Sequence, residues 1–137
     1  MADAAALQQE MFEAVQQRDF VHLRDLYHPE YSYLGADGSV GGIDVGIAVA
    51  ETYTSAFPDM TMTVEHHHAV SGDLSIMEIV AAGTHLGDLQ GIAPTGRAVS
   101  VRVCNVVEVK DGKIWREREY YDGLSMMQQL GVIPADG

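Results

Sequence analysis

The chain is poor in cysteine, in positive charge and in long apolar stretches. Cysteine occurs once, at Cys104, which rules out an intramolecular disulfide framework and suits a reducing compartment. Only 8 Lys and Arg stand against 20 Asp and Glu, a formal net charge of −12. A phosphate backbone calls for a basic surface, and an anionic membrane attracts basic segments, so neither nucleic acid nor membrane is expected as a partner. No apolar run approaches the roughly 20 residues of a membrane span. The opening stretch from Met1 to Glu10 has neither a basic n-region nor an apolar h-region, so it does not read as a signal peptide. Internal repeats, low-complexity tracts and linkers are lacking too. What is present is ordinary for a globular domain: 137 residues with 47% hydrophobic and 20% charged side chains. A chain of this size buries about two thirds of its unfolded surface. One acidic, soluble, cytoplasmic domain over residues 1–137 is expected.

Helical periodicity dominates the first part. Ala4 to Arg18 reads as a helix, with Leu7, Met11, Ala14 and Val15 on one face and Gln8, Gln9, Gln16 and Gln17 away from it; Asp3 is its N-cap. Asp19 begins a second helix with Phe20, Leu23, Leu26 and Tyr27 as the apolar stripe, stopped by Pro29. A short strand, Tyr31 to Leu34, and the turn Gly35-Ala-Asp-Gly38 precede a third helix from Ile43 to Phe57. The period then changes. Strands are predicted over Met60 to Val70, Leu74 to His85, Ala98 to Val109 and Ile114 to Asp122, with a Gly/Pro loop from Gly87 to Gly96. A short helix, Gly123 to Leu130, ends at Gly131. Helices followed by an antiparallel meander make the fold class α+β.

The hairpin at Asp111-Gly112 sets what stands opposite what. A two-residue turn pairs Lys110 with Lys113. Counting outward pairs Val107 with Arg116, Asn105 with Arg118, Val103 with Tyr120 and Val101 with Asp122. On that count the valine-rich face, assigned to the concave side, carries Arg116, Arg118, Tyr120 and Asp122. Trp115, Glu117, Glu119 and Tyr121 share the outer face with Arg102 and Cys104. A bulge shifts this pairing and brings Arg102 onto the face of Asp122. Both registers stay open at the level of sequence.

A series of motifs runs from Phe57 to Pro134: Phe57-Pro-Asp59, Ser71-Gly-Asp73, Gly83-Thr-His85-x-Gly87, Gly91-Ile-Ala-Pro-Thr-Gly-Arg97, Asp111-Gly-Lys-Ile114, and Tyr120-Tyr-Asp122 with Gln129-Leu-Gly131. In this order and spacing they resemble the SnoaL-like polyketide cyclases, within the nuclear-transport-factor-2-like (NTF2-like) superfamily; the N-terminal half matches only in its helix pattern. The resemblance implies a cone-shaped α+β fold, a strongly curved antiparallel sheet wrapped over N-terminal helices, and an enclosed pocket. It also implies a homodimer, a small-molecule substrate or ligand, and no metal or organic cofactor. In the cyclases one aspartate at the end of the last long strand removes a proton next to a carbonyl and then protonates the aldol oxygen. The matching position is Asp122.

The residues themselves leave two roles for Asp122, helix cap or pocket acid. Asn105, the polar break in the valine stripe, is either an enolate donor or a satisfied core amide. His85 either polarises a carbonyl or bonds to backbone. Tyr33, Phe57, Val101, Val103, Arg118 and Tyr120 complete the expected substrate-binding set. His66-His67-His68 lies on a strand, where only alternate side chains share a face, and no paired Cys or HExxH pattern adds ligands, so no metal is expected. Glu78 is the only strand candidate for a second pocket carboxylate. Cys104 stands where an Asp-Arg-Asp hydrolase pattern wants an acid, which speaks against that chemistry. The reading is a cofactor-independent cyclase or isomerase with Asp122 as general acid/base; the alternative is a non-catalytic small-ligand-binding module of the same fold.

Overall fold

Aspartates start most of the helices. In the computed structural model, which describes residues 3–134, Asp3 accepts from Ala6 N at the head of α1 (Ala4–Gln16) and Asp19 from His22 N at the head of α2 (Phe20–Leu26). Each satisfies an amide that has no partner within the helix. Met1 and Ala2 lie outside the described residues. Arg18 takes a left-handed conformation, φ 58°, which turns α1 into α2. Helix α3 (Ile43–Ala56) follows Gly42. The last helix, α4 (Gly123–Leu130), is capped by Asp122 and closed by left-handed Gly131.

The strands are β1 (Tyr27–Leu34), β2 (Val40–Gly41), β3 (Thr61–Ala69), β4 (Leu74–Thr84), β5 (Ala98–Lys110) and β6 (Lys113–Tyr121). They form one curved sheet in the order β2-β1-β6-β5-β4-β3, antiparallel except for the parallel pair β1/β6. Strand β1 starts earlier than expected. Helix α2 ends at Leu26 rather than at Pro29, and Pro29 falls where the β1/β6 register shifts between Tyr27 and Ser32. That is a place where a missing N–H costs the ladder nothing. Helix α1 lies across β3 to β6 on the concave side, and Leu7, Met11, Leu23, Val107 and Ile114 form its core.

The hairpin turn has left-handed Asp111 (φ 54°) and Gly112 (φ 72°), the type I′ geometry of a two-residue loop. Lys110 pairs with Lys113 and Val109 with Ile114, but Glu108 then pairs with Arg116. Trp115 is an extra residue, a β-bulge. Lys110 and Arg116 lie against its ring at 5.0 and 3.9 Å. Beyond the bulge every face is reversed relative to the unbulged count. Val107 faces Glu117, Asn105 faces Glu119 and Val103 faces Tyr121. The expected Val101–Asp122 pairing is therefore corrected. Arg116, Arg118 and Tyr120 stand on the outer face, and Glu117, Glu119 and Tyr121 stand on the concave one.

A second correction concerns α1. Gln8 does not look away from the core but is fully buried, with its amide bonded to Asn105. Two of the motif glycines, Gly83 and Gly87, have a packing reason. A Cβ on Gly87 would lie 2.3 Å from the backbone oxygen of Ser55, and the amides of Leu86 and Gly87 both bond Ala56 O at the end of α3. Asp59 holds the neighbouring Thr84 through its backbone N and hydroxyl, each at 2.7 Å. The Phe57-Pro-Asp59 and Gly83-to-Gly87 motifs thus form one corner of the fold.

Candidate functional site

Two tyrosines on β1 meet two glutamates on β6. Tyr31 and Tyr33 alternate with Ser32 and point inward, as do Glu117 and Glu119 around Arg118. The parallel β1/β6 pairing brings the sets together. Tyr31 OH donates to Glu117 Oε1 at 2.5 Å and Tyr33 OH donates to Glu119 Oε1 at 3.0 Å. Asn105 Nδ2 donates to Glu117 Oε2 at 2.8 Å. Across the cavity, Tyr53 OH from α3 and Tyr121 OH from the end of β6 share a hydrogen bond of 3.0 Å.

This acidic floor lies under apolar walls. Met11, Met60, Met62, Met126, Phe12 and Phe57 line the same cavity, as do Ile79, Val101 and Val103. Methionine suits an adaptable wall. No Lys, Arg or His is among the described residues lining the cavity. Burial and the nearby charge of Glu117 push Glu119 up to about 8. Burial likewise raises Glu117, against hydrogen bonds from Tyr31 and Asn105 that favour its anion. Burial holds the hydroxyls of Tyr33, Tyr53 and Tyr121 above their ordinary value, so they remain protonated donors. The site therefore pairs a carboxyl poised near neutral pH with several O–H groups that can bond a developing oxyanion.

The raised carboxyl makes stability depend on pH. An unfolded glutamate titrates near about 4.3, whereas folded Glu119 titrates at about 8. Between these values the folded state holds a proton that the unfolded chain has released. The contribution is full below the lower value and is lost as pH rises through the upper one. Melting temperature is expected to fall between pH 5 and pH 8.5, and to fall less steeply in Glu119→Gln. Equal slopes for the two proteins would contradict the shift.

The expected site residues separate into groups. Tyr33, Phe57, Val101 and Val103 lie on the cavity wall. Asn105 is fully buried behind Glu117. His85 is fully buried in the corner below the Gly87–Gly96 loop, where Thr95 N donates to its Nδ1 at 3.1 Å. The His85 and Phe57 rings are tilted against each other with centroids 5.5 Å apart. Arg118 is on the outer face, bonded to Glu108 at 2.5 Å, and Tyr120 is 51% exposed there. Asp122 accepts from Ser125 N at 3.0 Å and borders a recess with Ser100, Val101, Arg102 and Ser125; it is not among the residues lining the apolar cavity, though Val101 borders both. Glu117, Glu119 and Tyr121 were missed. The available signal was the matched i, i+2 spacing of two tyrosines and two glutamates on strands far apart in sequence.

The histidine run holds no metal cluster. His66 and His68 stack at 6.0 Å, His68 bonds Glu78, and His67 bonds Ser75 on the other side of the strand. No group of three metal-ligating side chains occurs among the described residues. Glu78, on this outer side, is not a lining residue of the cavity.

A curved sheet closed by helices over an apolar, acid-floored cavity is the cone-shaped α+β architecture of the NTF2-like folds. Within that class the chain belongs to the SnoaL-like polyketide cyclase family, whose model matches residues 5–130. It is 27% identical to the aklanonic acid methyl ester cyclase AcmA of Streptomyces galilaeus over 133 residues, 96% of this chain and 92% of that one. It is 28% identical to the aklanonic acid methyl ester cyclase DnrD of Streptomyces peucetius, over 82% of this chain and 76% of that one. The solved structure of IdmH from Streptomyces antibioticus superposes with a TM-score of 0.78 at 29% identity, covering 91% of this chain and 96% of that one.

Proposed function

We propose that this protein closes a ring, or shifts a proton, in an uncharged carbonyl-bearing apolar substrate, with Glu119 as general acid/base. The observation that carries this reading is the Glu119 carboxyl, held by Tyr33 over an apolar cavity without a cation. In the step proposed, ionised Glu119 takes a proton from carbon next to a carbonyl. The electron pair moves to the carbonyl oxygen, where protonated tyrosine hydroxyls stabilise the enolate. The enolate carbon then bonds to a second carbonyl carbon, and the new alkoxide takes the proton back from Glu119. No atoms or electrons are left over, and no oxidant is required.

The relatives support a cyclase type. AcmA and DnrD are named for action on a methyl ester, in keeping with a cavity whose nearest charges are acidic. In this reading the acid/base role passes from Asp122 to Glu119, because Asp122 is engaged as a helix cap away from the apolar cavity. A homodimer in the cytoplasm belongs to the same proposal, and sizing chromatography reads the dimer.

Deuterium exchange tests the chemistry before the natural substrate is known. In D2O, the acidic C–H of a polycyclic aromatic β-keto methyl ester is expected to exchange faster with the protein than without it. The corresponding free acid is expected to bind at least about tenfold more weakly, since its carboxylate would meet ionised or shared-proton carboxyls in low dielectric. Tight binding of the ester without exchange would favour the ligand-binding module instead.

A further inference from the structure

We propose that Glu117 is a resident carboxylate that sets the protonation of Glu119: a positioning residue, clamped by Gln8, Asn105 and Tyr31, whose charge makes its neighbour the proton carrier. The proposal rests on Glu119 as the acid/base, and its first test is independent of turnover.

The geometry builds from the far side of the core. Gln8 Nε2 donates to both Asn105 O and Asn105 Oδ1, each at 2.9 Å. With Oδ1 held as an acceptor, the Asn105 amide cannot turn over without setting one NH2 group against another. Its Nδ2 is therefore aimed at Glu117 Oε2, at 2.8 Å. The other oxygen takes the Tyr31 hydroxyl at 2.5 Å. Tyr31 is itself held, stacked on Tyr27 with ring centroids 3.9 Å apart. It also lies over Gly46, where a Cβ would come within 2.7 Å of its hydroxyl oxygen. Gln8 Oε1, by contrast, is buried without a partner. The Gln8 side chain thus spends its two donors on orienting Asn105 while its own acceptor stays unpaired.

Both oxygens of Glu117 are occupied by fixed donors, an arrangement that favours the anion. Glu119 takes the Tyr33 hydroxyl at a longer 3.0 Å, feels the Asn105 amide only as a secondary donor, since that amide is seated on Glu117, and faces the cavity. The titratable groups around Glu119 are Glu117 and Tyr121 on its own strand, Tyr33 on β1, Tyr53 on α3 and Asp37 in the loop after β1. Those around Glu117 are Tyr27, Tyr31 and Tyr33 on β1 and Glu119, with the neutral amides of Asn105 and Gln8 behind. No cation from any of these elements offsets the pair. Two carboxyls on one strand face, about 7 Å apart along the backbone, then share what ionisation the site permits. The donors assign the charge to Glu117 and leave the proton on Glu119.

The test is a 13C NMR titration of glutamate side-chain carboxyls in the full chain, with Glu119→Gln used to assign the Glu119 signal. In the unaltered protein that signal is expected to titrate at about 8. In Glu117→Gln, which keeps the side-chain size and removes the charge, the midpoint is expected to fall by about one unit or more. Tyr31→Phe removes one donor and keeps the carboxyl; it should give a smaller fall, and it carries the test should Glu117→Gln not fold. An unchanged or raised midpoint in the folded variants overturns the proposal.

The pH profile of kcat/KM then reads the positioning role. Its rising limb is expected to move down by the same amount in Glu117→Gln, whereas a merely structural role lowers the rate at every pH and leaves the limb in place. A shifted NMR midpoint with an unmoved kinetic limb sustains the Glu117 assignment and overturns Glu119 as the base.

Discussion

Glu119→Gln is expected to lower kcat/KM by about 10²–10⁴-fold, the usual range for loss of a general acid/base. Glutamine keeps the shape of the side chain and an oxygen that accepts from Tyr33 OH, so the cavity should survive. Only proton transfer is lost. The matched control is Asp122→Ala. That change removes the acceptor for Ser125 N at the head of α4 and should cost about 1 kcal/mol of stability. Turnover at a temperature where the variant is folded is expected to stay near that of the parent. The two variants therefore divide the acid/base roles open to the last strand. Retained activity in Glu119→Gln with loss in Asp122→Ala would return the role to Asp122.

Asn105→Ala is expected to destabilise the fold by about 2–4 kcal/mol, because it strips a hydrogen bond from a buried carboxylate and leaves one of the two Gln8 N–H donors without an acceptor. For a domain of this length that corresponds to a fall of about 10 °C in melting temperature. The three groups involved, Gln8, Asn105 and Glu117, are each at most 6% exposed, so water cannot easily replace the lost partner. Asn105→Asp should be worse near neutral pH, since a third carboxyl would join two others. Thermal or urea denaturation reads both. A loss below about 0.5 kcal/mol, the scale of an ordinary surface substitution, would show that the network is not the organising contact of the core.

Much of the fold was legible before any coordinates. The helix stripes, the aspartate caps, the Gly-Pro loop and the Asp111-Gly112 turn are local signals, each settled within a few residues. They led to the four helices and the long strands in the right order, though not to the short β2 or to the early start of β1 at Tyr27, and the motifs led to the family. The site was less legible for a specific reason. Strand β6 reads Arg116-Glu117-Arg118-Glu119, charged at both parities, so hydrophobic alternation could not say which set faces in. The single extra residue at Trp115 then reversed the faces. Counting from a correctly identified turn gave the first pairs correctly and the remainder wrongly.

The buried glutamine shows the same limit. Helical periodicity places Gln8 beside Leu7 and Met11 at the edge of the apolar face, and polarity argues it outward. Its burial makes sense only with Asn105, 97 residues away, in reach to take its donors.

The amino-acid sequence by itself determined an acidic α+β chain, because periodicity, caps and turns act over short stretches, and its ordered motifs carried the resemblance to the SnoaL-like family that implied a pocket. Which carboxylate enters that cavity was decided only in the tertiary structure. A bulge at Trp115 and the hydroxyls of Tyr31 and Tyr33 on a parallel neighbour turn Glu117 and Glu119 inward and leave Asp122 as a cap, and contacts of such long range have no local signature.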